Sequence, residues 1–194
     1  MAKTPDPLKG PANTNPTDWR KWLVRGGIAV GVIVIAVFFA GTEGGQNDVA
    51  PEGVTEFPLA EIGREHVDGA VAYDLIPPPG GDHNAAWLNC GTYSTPVAPE
   101  NAVHSLELGA VWVAYNPDIG QDQIDELAGL GSNSVIVSPV PGLDTPIAAA
   151  AWGARQTFDN AGDPDIRQFI RFYQSAPYAP EPGAACVGGV GTPG

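Results

Sequence analysis

Past residue 60 the chain alternates short apolar runs with turn residues, and the runs differ in period. Ala110–Tyr115 (AVWVAY) is a β-rich run stopped by Asn116-Pro117, and Ser134–Ser138 (SVIVS) is a short apolar run stopped by Pro139. Both predict buried strands. Ala70–Leu75 predicts a third short strand, ended by Pro77-Pro78-Pro79. Gln121–Leu130 places Ile124, Leu127 and Ala128 at helical spacing and Asp122, Asp125 and Glu126 on the other face, which predicts a helix with a solvated acidic side. Asp163–Ser175 is the clearest helix: Asp163 can cap, Pro164 sits in the first turn, and Ile166, Phe169, Ile170 and Tyr173 share one face. Pro146–Gly153 (PIAAAAWG) reads both ways, since alanine favours helix while brevity and flanking turns favour strand. The fold class is therefore α+β: a small mixed or antiparallel sheet with two to three helices, over residues 61–177.

The N-terminal part follows a different pattern. Gly26–Gly41 is sixteen uncharged residues, and adding Trp22–Arg25 gives the roughly 20 that span a bilayer if Arg25 snorkels. Trp19 and Trp22 stand where an interfacial aromatic belt would be. Residues 22–42 are thus expected to be a transmembrane helix, after a disordered cytoplasmic tail at 1–21 and before a polar linker at 43–60. A cleaved signal peptide fits less well: its basic leader would be 25 residues long, and a cut after Ala40 would put Phe38 where a small residue is needed.

Charge sharpens this picture. Residues 1–42 carry five Lys and Arg against two acids, net +3, and residues 43–194 carry four Arg against twenty acids, net −16. The positive-inside rule puts the N-terminus in the cytoplasm and the rest outside the plasma membrane, as a single-pass protein. A net charge of −13 excludes a nucleic-acid binder, which needs clustered cations. With 43% apolar residues the chain is no acidic disordered tail. The acid outside favours a basic protein as partner by long-range steering.

Candidate chemistry is sparse. The histidines are His66, His83 and His104; His83 lies in a Pro/Gly-rich loop with Trp87 downstream, and Glu107 follows His104 by three residues, on the same face if the segment is helical. Three imidazoles could hold copper or zinc, or each could be an ordinary hydrogen-bonded residue. No Gly-x-Ser-x-Gly elbow is present, and Gly129-Leu130-Gly131 is no dinucleotide loop because no long helix follows. Trp87, Trp112 and Trp152 read as core. Cys90 and Cys186 are an even pair on the oxidising side, which predicts one disulfide fastening the Gly/Pro-rich tail at 178–194. The competing reading makes one thiol a soft copper ligand.

HVDGAVAYDLIPPPGGDHNAAWLNCGTYSTPV, VHSLELGAVWVAYNP, VIVSPVPGLDTPIAAAAWG and DIRQFIRFY resemble the bacterial domain of unknown function 3105 over about residues 60–177. The most specific pieces are a Pro-Pro-x-x-Gly-x-His loop, ending here at His83, and a Val-His-x-Leu-Glu-His-Gly segment, whose first His matches His104. The resemblance implies an external domain hung from one N-terminal helix, with no settled activity. It also implies a site built from the loop His and two His of the second segment, with Leu108 standing where the second would be and His66 at another frequent His position. The reading is a membrane-anchored external binding or accessory domain, with no catalytic residue assigned and no cofactor. It would contact the bilayer through residues 22–42 and work beside a membrane complex, such as a respiratory assembly. The alternative is an external copper or zinc binding protein.

Overall fold

The computed structural model describes residues 50–194. The cytoplasmic tail (1–21) and transmembrane helix (22–42) expected from the sequence lie outside the described residues; among those described, no helix is long and apolar enough to cross a membrane.

Among the described residues nine elements follow in chain order: β1 (Thr55–Glu56), β2 (Gly91–Thr92), α1 (Pro99–Glu107), β3 (Val111–Tyr115), α2 (Gln121–Ala128), β4 (Val135–Pro139), β5 (Ile147–Ala151), β6 (Ala154–Phe158) and α3 (Pro164–Tyr173), with a 3-10 turn at Leu59–Glu61. The strands form one sheet in the order β1-β6-β5-β3-β4-β2. β3 pairs in parallel with β4, and β4 with β2, while β5 and β6 add on antiparallel. The sheet is mixed and the class is α+β, as the pattern of runs predicts.

β3, β4 and β5 are buried at every position, so both faces of the sheet are covered. On one face Trp112, Ala114, Ile136, Ala148 and Ala150 meet Val103 and Leu106 of α1 and the loop residues Leu88, Tyr93 and Trp152. On the other, Val111, Val113, Val135, Val137 and Ile147 meet Leu127 of α2 and Ile166, Phe169 and Tyr173 of α3. The alternation is the strand period of two, with both sets apolar. The alanine run settles as β5 for the same reason. Trp112 sits opposite Ala150 in the register, and small side chains there leave room for the indole, whose Nε1 donates to Ser138 Oγ at 2.9 Å. Packing in the centre of a sheet outweighs an intrinsic helix preference of under about 1 kcal/mol per residue.

Two expectations are corrected. Ala70–Leu75 forms no strand. β1 and β2 occupy the sheet edges, and this segment is held by side chains instead: the Tyr73 hydroxyl donates to the Asp82 carbonyl at 2.7 Å. Just after it, Arg155 donates to the carbonyls of Ile76 and Pro77 at 3.1 and 3.2 Å. The second correction concerns the linker: residues from 50 onward belong to the fold. Thr55 and Glu56 pair with Arg155 and Ala154, the Phe57 amide donates to Gly153 O at 2.8 Å, and Gln156 Nε2 donates to Glu52 O at 3.0 Å.

α3 begins as expected, with Pro164 in its first turn and the Asp163 carboxylate accepting from the Asp165 amide at 2.9 Å. Asp163→Ala should cost about 1 kcal/mol. In a thermal melt that is a drop of roughly 2–4 °C for a domain of this size; an unchanged midpoint would show that the cap contributes nothing.

The tail is fixed too. Cys90 and Cys186 form a disulfide across a separation of 96 residues. The strap beyond it runs along residues 87–92: Val190 N donates to Trp87 O at 2.9 Å, Asn89 N to Val190 O at 2.8 Å, Cys90 N to Cys186 O at 2.8 Å and Gly194 N to Thr92 O at 2.9 Å. With both sulfurs paired, neither cysteine is a thiol ligand, so the copper–thiolate alternative falls.

Candidate metal centre

The three histidines come from three segments and meet at one point. His66 and His83 are joined by a parallel bridge, with Val67 N donating to His83 O at 2.8 Å and His83 N to Glu65 O at 3.0 Å. Asp82 steadies the bridge by accepting from the Glu65 amide at 3.0 Å. His104 arrives on α1, whose Pro99 at the first turn and continuous Ala102-Val103 and Leu106 packing fix the helix face. The ring centroids lie 5.0 Å apart for His66–His83, 5.0 Å for His66–His104 and 4.9 Å for His83–His104. Glu107, one turn beyond His104, joins them: one donor atom from each of the four residues lies within 4.8 Å of every other.

The orientation of two rings follows from their partners. His83 Nδ1 is 2.8 Å from the Gly81 carbonyl, and His104 Nδ1 is 2.8 Å from the Asn84 carbonyl. A carbonyl only accepts, so both Nδ1 atoms carry the proton and both Nε2 atoms keep a free lone pair in the neutral ring. This is the arrangement in which protein carbonyls set metal-ligating imidazoles. His83 Nε2 lies 3.0 Å from Glu107 Oε2; with the proton on Nδ1 both atoms are acceptors, so no hydrogen bond joins them and Nε2 is buried without a hydrogen-bond partner. A fully buried, unpartnered imidazole nitrogen is rare and costly. Glu107 Oε1 accepts from Arg64 Nε at 2.9 Å, which leaves Oε2 to the cluster.

Burial grades the site. His83 is 0% exposed, Glu107 3% and His104 5%, whereas His66 is exposed and marks the open side. Burial pushes the His104 imidazole down, partly opposed by its bond to the Asn84 carbonyl, with His83 and His66 adding to the lowering. The ring is therefore neutral and ready as a ligand at neutral pH. Trp152 lies 6.0 Å from His83 and Trp87 5.7 Å from His104, ring to ring. Trp112 and Trp152 are core residues as expected; Trp87 is only half-buried, at the edge of the cluster.

The three histidines singled out from sequence lie together here, neither cysteine joins them, and the His-x-x-Glu spacing does place Glu107 beside His104. Leu108 is buried and lies at the end of α1, so the fourth donor comes from the residue before it. Sequence reading missed Arg64, Gly81 and Asn84. Arg64 two residues before His66 was the one available signal; two backbone carbonyls leave none.

The family described as "Protein of unknown function (DUF3105)" matches residues 66–188, which takes in all four donors and the disulfide. No curated protein and no solved structure matches the chain.

Proposed function

We propose, from the premise that this chain belongs to the DUF3105 family of proteins of unknown function, that it is a metal-binding domain whose ion is zinc or copper(II). The observation that carries the reading is the convergence of His66, His83, His104 and Glu107 within 4.8 Å, with two imidazoles already turned by backbone carbonyls. A tetrahedral shell with bonds of about 2.0–2.1 Å has donors about 3.3 Å apart. The widest pair would close by at most about 1.5 Å from the 4.8 Å limit. Nitrogen donors with one carboxylate suit both ions, and the Irving–Williams order makes copper(II) the tighter in direct competition. Four protein donors close the zinc shell, and a closed shell holds an ion rather than activating water. On this reading the accessory role expected beside the membrane becomes the holding of a metal ion at its outer face.

The test is titration of the chelator-stripped full chain with zinc and then copper(II) by calorimetry. One ion per chain is expected, with affinity falling more than about 100-fold in His66→Ala, since even residues that merely orient ligands change affinity 10–100-fold. Binding that is absent, or unaltered in both His66→Ala and His104→Ala, overturns the proposal.

A further inference from the structure

A second site lies where β1, the β5–β6 turn and the end of α3 come together. A cavity of about 190 Å³ is lined there by Glu56, Phe57, Leu59, Trp152, Tyr173 and Tyr178, with Gly153 closing the turn. Four of these are aromatic, one is a carboxylate and none is a cation. We propose that this pocket binds an alkylated ammonium group, of the trimethylammonium kind carried by choline.

The walls are rigid where they need to be. Trp152 and Tyr173 are each 3% exposed. The Tyr173 ring is held from behind by Phe169 at 4.5 Å and Phe172 at 4.8 Å between centroids. Tyr178 stands nearly perpendicular to Tyr173, at 79° with centroids 6.4 Å apart, so the two rings form adjoining walls. Phe57 is tied to the turn by its amide bond to Gly153 O at 2.8 Å. Gly153 has φ +77°, and a side chain there would collide with Leu59 at the mouth, so the turn keeps glycine and the mouth stays open. The rim is apolar and accessible, with Leu59 42% and Tyr178 40% exposed.

The chemistry selects the ligand. An aromatic face attracts a cation within about 6 Å, with tryptophan and tyrosine strongest. Glu56 adds a carboxylate, whose one side-chain partner among the described residues is the Tyr173 hydroxyl at a long 3.5 Å, which leaves it available to a cation. A primary ammonium brings three N–H donors that aromatic walls leave unsatisfied, which is costly on burial. A quaternary ammonium carries the charge with none, so only it enters without that loss. Burial, with Glu56 beside it, pushes the Tyr173 phenol up to about 12, so the ring stays neutral and its face keeps its negative potential. The site shares no ligand with the metal cluster, although its wall residue Trp152 lies 6.0 Å from His83, ring to ring.

The group could reach the pocket on a soluble compound or on a choline lipid. The experiment titrates the full chain, held in choline-free micelles, with choline chloride and with the uncharged isostere 3,3-dimethylbutanol, following the Gly153 amide by NMR. Saturable choline binding in the roughly millimolar range is expected, with the isostere at least fivefold weaker. Tyr178→Ala, at an exposed position that leaves the melting temperature in place, should lower choline affinity roughly two- to fivefold, and Glu56→Gln by a similar factor. Phosphatidylcholine vesicles that compete with choline identify a lipid source; vesicles without effect identify a soluble one, and both results retain the ammonium site. No saturation at tenfold higher choline, or equal binding of the isostere, overturns it.

Discussion

Replacing Cys90 and Cys186 together by alanine is expected to lower the stability of the domain by about 4–5 kcal/mol, the largest effect of any change named here. The bridge closes a loop of 96 residues, and in the chain-entropy account a loop that long removes close to the maximum from the unfolded ensemble. For a domain of this size the loss reads as a drop in melting temperature of roughly 8–20 °C. Local geometry adds to it. The tail beyond residue 186 follows residues 87–92 through backbone hydrogen bonds and three bonds to the Asn89 side chain, and buries little apolar surface of its own, with Val187 50% and Val190 42% exposed. Each such bond contributes about 1 kcal/mol net, too little to hold a glycine-rich strap against its chain entropy once the staple is gone. Differential scanning calorimetry of the double variant checks this; a change below about 1 kcal/mol would mean that the hydrogen bonds alone hold the strap.

Metal loading is expected to raise the melting temperature, and His66→Ala to erase that rise. An ion that binds the folded chain alone stabilises it by about 2.7 kcal/mol at a free concentration one hundred times its Kd. The corresponding shift is roughly 5–11 °C. His66 is exposed and its ring meets those of His83 and His104 at the open side of the site, so its removal should leave the metal-free midpoint within about 0.5 kcal/mol of the parent. The two effects separate cleanly: one variant, unchanged without metal and unresponsive with it. Asp122→Asn and Asp125→Asn, on the exposed face of α2, provide the comparison, and each should keep the full rise. A full rise in His66→Ala, or its loss in the α2 variants, would move the ion away from the histidines.

Much of the fold was legible because the strong patterns are local. The spacing of Ile166, Phe169 and Tyr173 gives α3, and the uninterrupted VWVAY and SVIVS runs give β3 and β4 as doubly covered strands. β6 was not legible. Ala154–Phe158 alternates buried and more open positions, but Arg155 and Gln156 hide the pattern, since their nitrogens donate to carbonyls of Ile76, Pro77 and Glu52, 78 or more residues away. α1 was missed as well. Ala98 supplies no side-chain cap, so the helix depends on its packing against the sheet rather than on a signal at its start.

The candidate site divides along the same line. Histidine scarcity made His66, His83 and His104 the only donors of their kind to consider, and helical spacing placed Glu107 beside His104. Their meeting depends on contacts across distant sequence. Arg64 reaches Glu107 over 43 residues, the Asn84 carbonyl reaches His104 over 20, and the His66–His83 bridge is made by backbone atoms that carry no residue signature.

The most direct measurement is anomalous diffraction at the metal edge from crystals of the full chain loaded with one equivalent of zinc. The account predicts a single peak among the three histidines, about 2.0–2.1 Å from Nε2 of His83 and of His104, with a His66 nitrogen and Glu107 Oε2 completing the shell. Anomalous density on exposed acids such as Asp122 and Asp125, with the space between the histidines left without a peak, would contradict it.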